Sequence, residues 1–324
     1  MQAKNILLTG GCGYIGTQLT QNLLDAGHRV TVFDAQWFGN FLEPQANLKI
    51  IQGDIRTIES VPMAAIDTVI HLANIANDPC SDLDSKLNWE VNVLATMQLV
   101  EKAIAHGVGQ FIYASSGSVY GVKEEDAVTE ELELIPISDY NKTKMISERV
   151  LLSYADRITV QCIRPATVCG YSPRLRLDLS VNILTHLALK HGVITVFGGT
   201  QTRPNIHIRD MVRVYLHFLE LGERAPGIYN AGFENLSILE IAKKVVAHIP
   251  AEIQISESND PRSYRLCSDK LLATGFEPKF TVEDAIVELK QLWEARAFSD
   301  SELNYNIKRM QALPGETLAN LVAS

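Results

Sequence analysis

The chain has 324 residues, 46% hydrophobic and 21% charged, with a formal net charge of −9 at neutral pH. That length allows a substantial core in one large or two coupled domains. The acidic balance argues against a general nucleic-acid binder without forbidding an anionic ligand, since a few arginines can make a local field positive. No apolar run approaches the ~18 residues of a membrane span, and the amino terminus enters a strand at once, with no signal peptide evident. Five cysteines without C-x-x-C spacing read as reduced thiols in a cytoplasm, and neither they nor the scattered histidines make a metal site.

The first element is the apolar run Asn5-Ile6-Leu7-Leu8, flanked by polar residues as suits a strand buried on both faces of a parallel sheet. Glycines follow at once. Gly11, Gly13 and Gly16 satisfy G-x-G-x-x-G, and Gly10, Gly13 and Gly16 satisfy the looser G-x-x-G-x-x-G, with Tyr14 and Ile15 inside the loop. Glycine serves three needs here: a tight turn, close approach of backbone to a diphosphate, and tight helix-on-strand contact. Thr17 to Ala26 carries Leu19, Leu23 and Leu24 at helical spacing and stops at Gly27, so this helix would present free N–H groups to phosphates. Arg29 to Phe33 reads as the second strand. Asp34 closes it where a carboxylate can accept both hydroxyls of an adenosine ribose. Ala35 and Gln36 offer no cation for a 2′-phosphate, so the pattern favours NAD over NADP.

Strand signals recur near residues 49, 68, 111 and 159, with amphipathic helices between several of them, which predicts an α/β fold on a doubly wound parallel sheet. Gln110 to Ala114 reads as a strand running into Ser115-Ser116-Gly117-Ser118-Val119-Tyr120-Gly121. A serine at a strand's C-terminal end faces the crevice where such sheets bind ligands. Ser116 is the candidate to hold a reacting oxygen, while Ser115 and Ser118 read as capping or turn residues. Tyr140 and Lys144, four apart, share one helix face. The lysine ammonium, joined by the charge of an oxidised nicotinamide, should draw the phenol pKa toward neutrality. Tyr140 could then take a hydroxyl proton as hydride leaves the same carbon.

From about residue 5 to about residue 293 the chain resembles the extended short-chain dehydrogenase/reductases, specifically the NAD-dependent nucleotide-sugar epimerase/dehydratase group. Further segments match in order. The resemblance implies adenine contacts from Asp54 and Ile55 in Gly53-Asp54-Ile55-Arg56, and a cofactor-lining role for Leu72 and Ala73 in Val69-Ile70-His71-Leu72-Ala73, where His71 itself reads as a core histidine. It also implies a cofactor role for Asn92 and places Pro165, in Arg164-Pro165-Ala166-Thr167-Val168-Cys169-Gly170, beside the nicotinamide. It implies a nucleoside diphosphate sugar in the C-terminal portion, met by Thr167, by Asn182 at the phosphates, by Val196 and Phe197 at the base, and by Arg203 and Arg262 as pyrophosphate and ribose clamps. Guanidinium suits that task because its planar fork binds phosphate bidentately.

Departures from the family pattern bear on the reaction. Gly117 and Ser118 stand where many of the dehydratases carry an Asp-Glu pair and the decarboxylases a glutamate, which disfavours elimination and decarboxylation. Thr167 replaces a frequent asparagine and Cys169 a frequent tyrosine. Two enzymatic readings remain: epimerisation through a transient keto-sugar, with Ser116, Tyr140 and Lys144 as the catalytic set, or reduction of a keto nucleotide sugar. A third is a non-catalytic NAD-sensing or nucleic-acid-binding protein on the same fold. The expected organisation is a Rossmann-type NAD-binding domain over residues 1–170 and a smaller, mixed substrate domain over 171–324. Some of its segments return to the first domain, such as a helix starting near Arg209. Residues 77–82 form a turn-rich segment that could move over the sugar. The resemblance implies a homodimer through helices around residues 88–106 and 139–155, and no membrane partner. Residues from about 298 onward match nothing and read as a peripheral helix or tail.

Overall fold

The strand Asn5–Thr9 (β1) is apolar on both sides because it lies inside a sheet that is covered on both faces: Ile6 and Leu8 point into one core and Leu7 into another, all three fully buried. The computed structural model describes residues 3–257 and 263–313. Around β1 stand β2 (Arg29–Asp34), β3 (Leu48–Gln52), β4 (Thr68–His71), β5 (Gln110–Ala114) and β6 (Thr159–Pro165). The later strands are β7 (Thr167–Cys169), β8 (Val193–Phe197), β9 (Thr202–His207), β10 (Gly227–Ala231), β11 (Glu234–Ser237) and β12 (Glu252–Ser256). A seven-stranded sheet runs in the order β10-β6-β5-β4-β1-β2-β3, and every neighbouring pair is parallel. This is the Rossmann-type arrangement that the alternating strand and helix signals predict.

Helices cover the two faces separately. Leu19 and Leu23 of Tyr14–Asp25 and Met211, Val212, Tyr215 and Phe218 of Ile208–Leu221 fill the layer that receives Ile6 and Leu8. Leu99, Val100 and Ala103 of Ala95–Ala105 and Leu151 of Asp139–Leu152 fill the opposite layer around Leu7, Val69 and Phe111. The chain order reverses at β1, whose neighbours are β2 and β4, so a crevice opens at the C-terminal ends of these strands.

Beyond Pro165 the chain builds a smaller assembly: β11-β9-β7 with antiparallel and parallel pairs, the parallel pair β12-β8, and the helices Ser180–His191, Ile238–His248 and Val282–Glu294 around one apolar cluster. The helix Ile208–Leu221 then crosses back onto the first sheet, and β10 extends that sheet beside β6. Residues 302–312, read from sequence as a peripheral helix or tail, form a short turn and the helix Asn306–Ala312. Arg309 Nε donates to the Trp37 carbonyl at 2.7 Å, so this segment is docked on the first domain.

A buried ion pair ties the helix Asp139–Leu152 to the sheet. Arg164, on β6, donates from Nε to Glu148 Oε1 at 2.9 Å and from Nη2 to Glu148 Oε2 at 2.6 Å, with both side chains at most 2% exposed. Arg164 also donates to the Tyr120 hydroxyl at 2.6 Å, and Ser115 Oγ bonds the same carboxylate. Glu148→Ala would leave a guanidinium buried without its counter-charge. The expected loss is about 3–5 kcal/mol, read as a lower urea midpoint at unchanged m-value; a change under ~1 kcal/mol would show that the pair is not a structural anchor.

Candidate active site

The crevice holds a cavity of about 480 Å³ whose wall runs from the glycine loop to the helix Asp139–Leu152. Gly10 sits at φ +74°, and a Cβ there would lie 2.6 Å from the Ala73 amide nitrogen; one on Gly16 would run into the Gly10 carbonyl oxygen. Both positions therefore require glycine. Gly13 precedes the helix Tyr14–Asp25 without a side-chain cap, so the first-turn N–H groups face the cavity wall formed by Gly13, Tyr14, Ile15 and Gly16. At the end of β2, Asp34 accepts from the Cys12 N–H at 2.9 Å and the Gln36 N–H at 2.7 Å. Burial raises its pKa, opposed by those two N–H groups and by Arg174. A backbone that only glycine permits, a helix start free of side-chain capping and a half-buried carboxylate at the neighbouring strand end together fit an adenosine diphosphate moiety.

Asp54, Ile55, Leu72 and Ala73 also line the cavity. Asp54 is held by Arg56 at 2.7 Å. His71 is a neutral core residue: Nδ1 lies 2.6 Å from Thr9 Oγ1 and Nε2 2.9 Å from Thr96 Oγ1, and burial drops its pKa to about 3.

At the other end stand Ser116, Tyr140 and Lys144, brought together as the sequence expects. Ser116 caps the turn Gly117–Tyr120, and its Oγ lies 2.7 Å from Ser118 Oγ, which donates to Asn141 Oδ1 at 2.5 Å. Ser118, read from sequence as a plain turn residue, thus links Ser116 to the helix of Tyr140. Burial pushes the Tyr140 phenol pKa up to about 12, opposed in part by the neighbouring Ser116 hydroxyl. Lys144 is also buried; its Nζ donates to the Ala114 carbonyl at 2.7 Å and lies 5.8 Å from the Tyr140 ring centroid. Burial brings its pKa down to about 7, partly offset by Glu148. With the lysine alone the phenol stays above its ordinary value; the sequence argument joins to it the charge of an oxidised nicotinamide.

Pro165, Thr167 and Arg203 line the cavity too. Three expectations need correction. Asn92 lies outside it: its side chain accepts from the Ile75 N–H at 2.8 Å and donates to Asn88 and Thr143, pinning the loop after β4 to a π-helical turn. Asn182 is also buried and occupied, accepting from the Gly170 N–H at 2.9 Å and donating to the Arg176 carbonyl at 2.8 Å, so it braces the loop rather than meeting phosphates. Val196 is 0% exposed in the apolar cluster of the second assembly, while Phe197 beside it is 60% exposed, because alternation along β8 sends only one of the two inward. Arg262 lies outside the described residues.

The cavity contains residues that sequence reasoning missed. Asn74 has both amide atoms buried with no partner among the described residues. Asp78, from the turn-rich segment, accepts from Ser138 Oγ. Arg174, Arg176 and Asp178 line the wall, while the intervening Leu175 and Leu177 are buried in an apolar cluster. The period-two pattern Arg-Leu-Arg-Leu-Asp-Leu was the available signal.

Residues 6–232 match the profile of a family described as the NAD dependent epimerase/dehydratase family. The chain is 28% identical over 309 residues to a UDP-glucose 4-epimerase of Corynebacterium glutamicum, covering 87% of this chain and 93% of that one. Among solved structures, it is similar to the UDP-glucuronic acid 4-epimerase of Bacillus cereus in complex with UDP-glucuronic acid and NAD (28% identity, TM-score 0.77, 89% of this chain and 99% of that one). It is also similar to the UDP-glucose 4-epimerase of Thermus thermophilus in complex with NAD (25% identity, TM-score 0.76, 88% and 99%).

The depressed Lys144 pKa has a consequence for stability. Between its folded value of about 7 and the ordinary 10.5, the unfolded chain carries a proton that the folded chain does not, so stability rises with pH across that window. Below the folded value the lysine is charged in both states and the burial penalty is felt in full. Urea denaturation of dinucleotide-free protein from about pH 7 to about pH 10 should show this rise, and Lys144→Met should flatten it. An identical slope in the two proteins would rule the assignment out.

Proposed function

The chain belongs to the NAD-dependent epimerase/dehydratase family, and we propose that it epimerises a nucleoside diphosphate sugar through a transient keto-sugar, as an isomerase. The observation that carries this reading is that one cavity joins a diphosphate cradle and Asp34 to Ser116, Tyr140 and Lys144. When bound, NAD supplies the site that accepts hydride from the sugar carbon and returns it. The glycine turn would hold its phosphates, Asp34 its adenosine ribose, and Asp54, Ile55, Leu72 and Ala73 the walls around it. Pro165 would flank the nicotinamide end.

Tyr140 removes the proton of the sugar hydroxyl, and Ser116, oriented through Ser118 and Asn141, holds the same oxygen. Lys144 and the charge at the nicotinamide favour the phenolate. After the keto-sugar presents its other face, Tyr140 returns the proton to the oxygen. Gly117 and Ser118 place no carboxylate directly after Ser116, where elimination would need one. Thr167 and Arg203 would meet the sugar and its diphosphate. The named relatives make UDP-hexoses, inverted at C4, the first substrates to try.

The division of labour follows the chain: residues 1–170 bind the dinucleotide, and 171–324 supply most of the substrate contacts, apart from the helix Ile208–Leu221 and β10, which return to the first sheet. Exposed Trp89 and Leu94, at 38% and 46%, beside the helix Ala95–Ala105 support a homodimer through this face. All five cysteines are free, which supports a cytoplasmic enzyme, and a role in polysaccharide biosynthesis follows from the substrate class. Among the described residues no helix is long and apolar enough to cross a membrane.

Incubation with UDP, GDP, CDP, ADP and dTDP sugars should give a product of unchanged mass and inverted configuration at one carbon, without added reductant. Loss of a water would indicate dehydration instead, and steady consumption of NADH a reductase. Tyr140→Phe should lower kcat by about 10²–10⁴-fold while leaving dinucleotide bound; retention of full activity would remove Tyr140 from its role.

A further inference from the structure

Two buried guanidinium groups face the cavity from the wall that sequence reading left unexplained. Arg174 is 2% exposed; its Nη2 donates to Asn306 Oδ1 at 2.6 Å, and its guanidinium carbon lies 4.1 Å from the Phe38 ring centroid. Arg176 donates from Nε to Asp178 Oδ1 at 2.8 Å, and its side chain is 11% exposed. Among the described residues, Nε of Arg174 and Nη2 of Arg176 are buried without any acceptor. Leaving a cationic donor buried and unsatisfied is costly, so a site that keeps two of them is built for an anion that arrives from outside.

Charge and position identify the anion's class. The carboxylates that act on this pair are Asp178, already bonded to Arg176 and to the Asn306 N–H at 2.9 Å, and Asp34, already bonded to two backbone N–H groups. Arg174 lies over the ring of Phe38, four residues past Asp34, and Arg174 and Arg176 line the same cavity as Gly10, Gly13, Gly16 and Asp34. The two cations thus share one cavity with Asp34 and the uncapped helix start. We propose that Arg174 and Arg176 clamp the dinucleotide's diphosphate from the side opposite the glycine turn, with Asn306 of the C-terminal helix latching Arg174 in place. The proposal rests on the cofactor reading above and adds a second grip to it. A diphosphate held from two sides stays through turnover, as a reaction that hands hydride back to the same substrate requires.

Calorimetric titration of protein freed of dinucleotide tests this with three probes: ADP-ribose, adenosine and UDP. Arg174→Gln and Arg176→Gln should each weaken ADP-ribose by roughly 10- to 100-fold, the range for losing a charge-assisted hydrogen bond. Adenosine and UDP should each stay within about twofold, since neither depends on the clamp. Arg174→Lys, which keeps the charge and loses the fork, should fall between. Unchanged ADP-ribose affinity overturns the proposal. So does an equal loss for adenosine, which would mean a merely structural role, or a loss for UDP alone, which would assign the clamp to the sugar nucleotide. Wild-type protein that takes up neither ADP-ribose nor NAD would sink the cofactor reading itself.

Discussion

The bidentate pair between Glu148 and Arg164 is the constraint from which the geometry of the site follows. Residues 140, 144 and 148 lie one turn apart on a single face of the helix Asp139–Leu152. Glu148 is fastened to β6 through Arg164 and to the end of β5 through Ser115. Fixing the last of the three fixes the rotation of the helix, and that rotation points Lys144 at the Ala114 carbonyl and sets Tyr140 on the cavity wall with Ser116. A buried ion pair contributes little net stability against an apolar replacement. Its value here is register: an apolar contact tolerates sliding along the sheet, whereas a two-point fork does not.

The same anchor shapes the protonation states. Glu148 counters part of the burial that brings Lys144 down to about 7, so the lysine stands near the point where small changes in local charge decide its state. Tyr140 stands far on the other side, pushed up to about 12. A phenol so placed holds its proton and cannot act as a base until a cation comes near, and a charged nicotinamide would be such a cation. In the proposed reaction, proton removal would thereby be coupled to the presence of the hydride acceptor. His71, another titratable group beneath the crevice, is kept neutral between two threonine hydroxyls and adds no competing charge.

Much of this was legible in the chain because it depends on local pattern. The strands near residues 5, 30, 49, 68, 111 and 159 announce themselves as apolar runs between turn signals, and Gly10, Gly13 and Gly16 as positions where a side chain meets backbone. Tyr140 and Lys144 follow from helical spacing. What stayed hidden depends on contacts across long sequence separations. Asn92 and Asn182 are amides whose hydrogen bonds go to Ile75 and to the Gly170 loop, and spacing along the chain cannot distinguish an amide that braces a loop from one that meets a ligand. Val196 and Phe197 differ only in which way alternation turns them. Asn74 is conspicuous only once its buried, unpartnered amide is seen against the cavity.

The stretch from Arg174 to Asp178 shows why a polar segment deserves a strand-like reading even outside a sheet. Its leucines at 175 and 177 are buried against Leu289, and that burial turns the two arginines and Asp178 to the other side. The hydrophobic term alone sets the orientation, and the cost of desolvating two guanidinium groups is then offset only in part by Asp178, Asn306 and the Phe38 ring. Folding therefore leaves a deficit of negative charge on this wall of the cavity. The helix Asn306–Ala312 reaches it from the far end of the sequence, through Asn306 to Arg174 and Asp178 and through Arg309 to the Trp37 carbonyl. A segment that matched no pattern on its own thus closes this wall of the cavity, with Asn306 itself on the lining.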